Sequence, residues 1–154
     1  MKKRGLLAVI LLITVLGSAC GDVIVEPKWV IGVDGAEQAV FTSIDCARLN
    51  EVSLTIERTQ PDGSVRSETL QGVRLKDVLD SLGVAQYSSV TLTARSGTSV
   101  SYDKAVVDDA STILATKADQ KEVWEDGFIV LQAVAGNGQE SLWLRGLVSL
   151  TVIP

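Results

Sequence analysis

The chain carries two cysteines, Cys20 and Cys46, and no histidine. Without imidazole there is no Ser-His-Asp triad, no histidine metal ligand and no imidazole proton shuttle. Chemistry is left to thiols, carboxylates, arginines and aromatic rings. Cys46 is the sulfur placed to act as nucleophile or metal ligand inside a folded domain. A reactive thiolate needs a helix N-terminus or a nearby cation to depress its pKa. The stretch "FTSIDCARL" (41–49) places Cys46 in the opening turns of an expected helix, with Arg48 close by. The plainer reading is an inert, partly buried cysteine, and the lack of a histidine partner favours it.

Three other features bear on chemistry. Asp108, Asp109, Asp119, Glu122, Glu125 and Asp126 form a loose acidic set. A calcium loop needs ligands at tight alternating positions with a glycine at the bend, and that pattern is missing, so a solvated loop face is expected. "GNG" (136–138) lacks the spacing of a phosphate-cradling loop and reads as a hairpin turn. The rings of Trp29, Trp124, Trp143, Tyr87 and Tyr102 can line a pocket, although core and interface anchoring is their commoner use. Arg58, Arg95, Tyr102 and Trp143 are the residues expected to face a ligand cleft.

These residues need elements to hold them. "KWVIGVDG" (28–35) reads as a strand ending in an Asp-Gly turn. The spacing over 41–49 predicts a short helix with Thr42 as N-cap and Asp45 three residues on. "VSLTIER" (52–58) alternates apolar and polar residues, and Pro-Asp-Gly chemistry in "TQPDGS" returns the chain as a hairpin through "VRSETL". "LQGVRLKDVLDSLGV" (70–84) reads as a strand end, a tight Gly-Val turn, and a short helix. Val73, Leu75, Val78, Leu79 and Leu82 share its apolar face, and Gly83 fits the C-terminal cap. Further strands are expected at 89–96, 98–103, within 111–118, over 127–136 and over 142–153. About eight or nine strands and two short helices predict a mixed, β-rich α+β domain.

The ends of the chain bear on where it works. Lys2, Lys3 and Arg4 precede an uncharged apolar run, 6–16, and the small residues Gly17, Ser18 and Ala19 precede Cys20. This is the pattern of a secretory signal. The cysteine predicts lipoprotein processing: cleavage before Cys20 and acylation of its thiol with chains such as palmitate, anchoring the protein to a membrane without spanning it. Leu16 sits four residues before Cys20, one more than usual. Residues 1–19 then form the signal peptide, 20–27 the lipidated N-terminus and tether, and 28–154 one domain. Removing 1–19 takes away three of the 14 basic residues and none of the 19 acidic ones, leaving a net charge of −8. That balance argues against nucleic acid as a partner.

The order "WVIGVDG", "FTSIDCARL", "GVRLKDVLDSLGV", "VTLTARSGTSVSYDKA" and "LWLRGLVSLTV" resembles the molybdopterin-binding domain of the sulfite-oxidase-type oxidoreductases. The resemblance covers nearly all of 28–154 and implies that family's mixed fold. It also implies a metal-ligating cysteine after the strand that follows the "FTxxDL" helix. Here that region, "VSLTIERTQPDGS", offers Ile56, Glu57, Arg58 and Thr59 and no sulfur, while Cys46 lies in the preceding helix. The family's pterin pocket also draws on histidine, absent here, and its Gly-Tyr element appears as "ARSGTS", with Ser96 before Gly97. The expectation is therefore an envelope lipoprotein on the extracytoplasmic face, acting as a non-catalytic binding or interaction module. Its expected partners are the membrane, through the lipid, and a small molecule or membrane protein. No cofactor and no metal are expected. The alternatives are a molybdopterin-dependent oxidoreductase with Cys46 as metal ligand, and a purely structural envelope lipoprotein.

Overall fold

The computed structural model describes residues 25–136 and 138–154. The expected signal segment, Cys20 and Asn137 of the "GNG" stretch lie outside the described residues. In chain order the elements are β1 (Val30–Asp34), β2 (Val40–Thr42), α1 (Ser43–Cys46), β3 (Val52–Thr59), β4 (Val65–Arg74), α2 (Leu75–Ser81), β5 (Ser89–Ala94) and β6 (Ser99–Asp103). They continue with α3 (Lys104–Asp108), β7 (Ile113–Ala118), β8 (Trp124–Glu125), β9 (Phe128–Ile129), β10 (Gln132–Val134), a 3-10 turn (Glu140–Leu142), β11 (Leu144–Arg145) and β12 (Leu147–Ile153). Strands dominate, as expected.

Two five-stranded sheets carry the domain, ordered β2-β1-β12-β5-β6 and β11-β10-β7-β4-β3. In the first sheet β1 lies parallel to β12, with Gly32 opposite Ser149, and the other pairings are antiparallel. Strict alternation in β5 turns Val90, Leu92 and Ala94 inward. They join Ile31, Phe41, Tyr102 and Leu150 of the same sheet, Val73, Leu114 and Leu144 of the second, and Leu75, Val78, Leu79 and Leu82 beneath it in the main core. Burying each such leucine stabilises the fold by about 1.5–3 kcal/mol. A smaller cluster contains Ile56, Leu70, Ile113, Ala115, Ala118 and Val134. Consecutive residues Ile113 and Leu114 fall in different clusters, so the smaller one lies on the opposite face of the second sheet.

The expected hairpin forms, with Val52 opposite Gly72 and Thr59 opposite Val65. The α2 apolar face is buried throughout. Its end is a Schellman cap: Val84 N–H donates to Leu79 O at 3.0 Å and Gly83 N–H to Asp80 O at 3.1 Å, with Gly83 at φ +75°.

Five expectations are corrected. Gly72 and Val73 do not turn the chain; they continue β4, with a register shift after Gln71. The glycine is required because a Cβ there would sit 1.9 Å from Leu114 O. Phe41 is a strand residue of β2, since the helix begins only after the Thr42 cap. The 127–136 run is broken, its start pairing with β8 in a hairpin and its end forming β10. The 142–153 run is also divided: Gly146, at φ +79°, lets the chain leave β11 in one sheet and enter β12 in the other. Finally, α3 adds a helix capped by Asp103, whose carboxylate accepts from Val106 N–H at 2.9 Å.

Candidate functional site

The second sheet carries two regions with the residue types for chemistry. One is a polar patch around Arg58 and Trp143. β3 brings Ile56 and Arg58 to the face of the smaller cluster, opposite Glu68 and Arg66 of β4. Arg58 donates from Nη2 to Gln132 Oε1 at 2.7 Å. Its Nε lies 3.1 Å from Glu68 Oε2 without the alignment of a hydrogen bond, and its guanidinium sits 5.4 Å from the centre of the Trp143 ring. Trp143 donates its indole N–H to Ala135 O at 3.3 Å. Gln132 is only 3% exposed, so Arg58 satisfies an amide oxygen that water barely reaches. Two shallow depressions flank this pair. One, of about 230 Å³, is lined by Leu54, Ile56, Val134, Glu140 and Trp143. The other, of about 370 Å³, is lined by Arg58, Arg66, Glu68 and Arg145. The arginines are already matched by carboxylates: Arg66 by Asp119 and Arg145 by Glu125.

The other region is a cleft of about 560 Å³ that begins at Val25 and Glu26 and runs along α1 to β4 and β7. Trp29, Ile44, Cys46, Leu49 and Val73 give it an apolar lining. The α1 capping box orients this wall: Asp45 N–H donates to Thr42 Oγ1 at 3.3 Å, and Thr42 N–H donates to Asp45 Oδ2 at 3.0 Å. At the rim Lys28 pairs with Glu122 at 2.6 Å and Lys117 with Glu51 at 2.8 Å. Cys46 lies in the opening turn, as expected, but α1 is only that one turn of four residues, too short to lend the sulfur a helix field. Arg48 leans to Asp45, 3.8 Å away. Burial, with the Glu51 charge adding to it, pushes the Cys46 thiol up to about 11. This sulfur is held protonated.

Of the four residues expected at a ligand cleft, the fold joins Arg58 and Trp143 only. Arg95 stacks on Phe128 at 3.6 Å, against the β8–β9 hairpin. Tyr102 is wholly buried in the main core and donates its hydroxyl to Leu142 O; burial raises its pKa above the ordinary phenol range. Trp29 lines the Cys46 cleft, and Trp124 lies exposed on β8. Tyr87 donates to Asp108 at 3.2 Å. The acidic set is dispersed: Asp108 pairs with Lys104, Asp119 with Arg66, Glu122 with Lys28 and Glu125 with Arg145. Among the described residues no group of three or more His, Cys, Asp or Glu is placed to hold a metal ion. Sequence reasoning missed Gln132 and Glu68. Gln132 lies 74 positions from Arg58, a separation at which no local pattern operates.

No family model and no curated protein matches the chain. Among solved structures, the sulfane dehydrogenase SoxCD from Paracoccus pantotrophus is similar, with a TM-score of 0.65 and 18% identity over 84% of this chain and 39% of that one. The chain thus spans well under half the length of that neighbour. The likeness supports a sulfite-oxidase-like fold, as the motif order implied.

A molybdopterin group held by a thiolate does not fit the residues present. The position where the resemblance implies a sulfur presents Ile56, buried, and Arg58, bound to its neighbours. A guanidinium is a cation and cannot ligate a metal ion. The one described cysteine is in the other region, protonated and beside a carboxylate.

Proposed function

We propose that this chain is a lipid-anchored, extracytoplasmic binding or interaction module built on a sulfite-oxidase-type fold, without redox catalysis of its own. The observation that carries the reading is the filled β3 position: Ile56 and the Arg58–Gln132–Trp143 arrangement stand where a metal-ligating sulfur is expected. Fold alone does not assign activity, and the likeness to a sulfane dehydrogenase rests at 18% identity. The anchor is inferred from the basic start, the apolar run and Cys20. The attachment in this reading is a lipid on Cys20; among the described residues no helix is long and apolar enough to cross a membrane. Phase partition in detergent tests it. Wild-type protein is expected in the detergent phase, and Cys20→Ser as aqueous protein or unprocessed precursor. Wild-type protein in the aqueous phase contradicts the anchor.

A second reading, a molybdopterin-dependent oxidoreductase using Cys46, is favoured by one observation: Cys46 lines a cleft of about 560 Å³. It requires the thiol to lose its proton against burial and the Glu51 charge. Molybdenum content separates the two readings.

A further inference from the structure

The Cys46 cleft has a shape and lining that the binding-module reading leaves unused. Its volume, about 560 Å³, falls within the range of small-molecule sites, roughly 300–1,000 Å³. Its apolar wall comes from Trp29, Ile44, Leu49 and Val73, and the partly buried Trp29, Cys46 and Leu49 pack directly on the main core. The lysines at the rim do not offer a free cation: Lys28 is taken by Glu122 and Lys117 by Glu51. A free fatty acid or a phosphate headgroup entering here would lack a free cationic partner, and Glu26 at the edge would repel it. A hydrocarbon chain whose carboxyl is already esterified has no such conflict.

The cleft also opens at the right end of the chain. Its first lining residues, Val25 and Glu26, are where the described structure begins. Cys20 lies five residues before Val25, a tether that extends at most about 18 Å. A chain attached to Cys20 is therefore within reach of the cleft mouth.

We propose that the cleft between α1 and β4–β7 is a docking site for one acyl chain of the lipid carried by Cys20. This rests on the lipoprotein reading. Docked, the chain exchanges water for the Trp29–Ile44–Leu49–Val73 wall, and burial of its methylene groups drives the contact. The domain is then held close to its own anchor, and the protein exchanges between a form with the chain in the bilayer and one with the chain sheltered. A partner that binds either form selectively shifts that balance by its difference in affinity.

The test uses the full chain, expressed in a host that acylates lipoproteins and fed a palmitate analogue bearing a diazirine near its chain end. After irradiation, peptides are mapped by mass spectrometry. Label at Cys20 with cross-links to the Trp29, Ile44 or Leu49 peptides is the expected result. Loss of those cross-links in Ala47→Trp, which adds a bulky ring to the cleft lining from an exposed position outside the main core, is expected with them. Label at Cys20 with cross-links to bilayer lipid or to another protein only overturns this inference and leaves the anchor standing. No label at Cys20 overturns the anchor and the inference together. Cleft cross-links that survive Cys20→Ser show a free or bilayer lipid as occupant and also overturn the assignment to the protein's own anchor.

Discussion

The Arg58 patch and the Cys46 cleft sit on one sheet, yet they solve opposite problems. In the patch a charge is fixed: the guanidinium is bonded to Gln132, sits beside Glu68 and faces the Trp143 ring. In the cleft charge is kept at the rim: the lysines and glutamates pair there, and the interior sulfur is held as a neutral thiol. A thiolate-held metal needs both properties in one place, a soft anionic ligand and a polar surround. Here the polar surround lacks the sulfur and the sulfur lacks the polar surround.

The largest effect should come from breaking what both regions share. Gly72 lines the cleft, and it packs against β7, the strand that also pairs with β10 and so underlies the patch. A Cβ at that position meets Leu114 O at 1.9 Å. Gly72→Val should therefore cost about 3 kcal/mol or more, read as a large fall in the denaturation midpoint. A midpoint near wild type would show that β4 and β7 approach less closely than described.

Arg58→Ala should damage the patch alone. It leaves the nearly buried Gln132 oxygen without its donor and Glu68 without its cation. A loss of about 1–3 kcal/mol is expected, recovered only in part by Arg58→Lys, because an ammonium cannot make the planar contacts of a guanidinium. Full recovery by lysine would mean that charge alone, without geometry, holds the patch.

Cys46→Ala should have the smallest effect, under about 1.5 kcal/mol, because it removes one partly buried sulfur from a cleft wall. The pH dependence sharpens the contrast. The thiol is raised from 9.0 to about 11 in the folded state. Its contribution to stability is therefore fully present below about pH 9 and is lost as pH rises towards about 11. Alkylation of Cys46 in the native protein should follow the same titration, slow at neutral pH and reaching half its maximum near pH 11. Fast alkylation at pH 7 would indicate an activated thiolate and favour the oxidoreductase.

Local signals in the sequence were enough for the elements with complete punctuation. The 52–70 hairpin follows from alternation and Pro-Asp-Gly, and α2 from an apolar face ended by Gly83. Glycine misled elsewhere. Gly72 reads as a turn because its real cause, contact with a carbonyl 42 positions later, is not local. Gly146 lies inside a run that reads as one strand, and the switch between sheets is decided by which neighbours each half finds. Asp103 ends the expected strand 98–103 and also caps α3, and no helix is expected after it. At the candidate site the arginine and tryptophan were legible as residue types. The glutamine that fixes the arginine comes from β10, and Tyr102, expected beside them, is drawn inward because β6 turns it to the main core.

The central claim is that the two regions do not combine into a metal site. The direct measurement is molybdenum content by elemental analysis of the full-length, export-matured protein made in a host that synthesises the cofactor, beside Cys46→Ala prepared in the same way. The account predicts no stoichiometric molybdenum in either protein and closely similar stability. Stoichiometric molybdenum in the wild type that disappears in Cys46→Ala would contradict it.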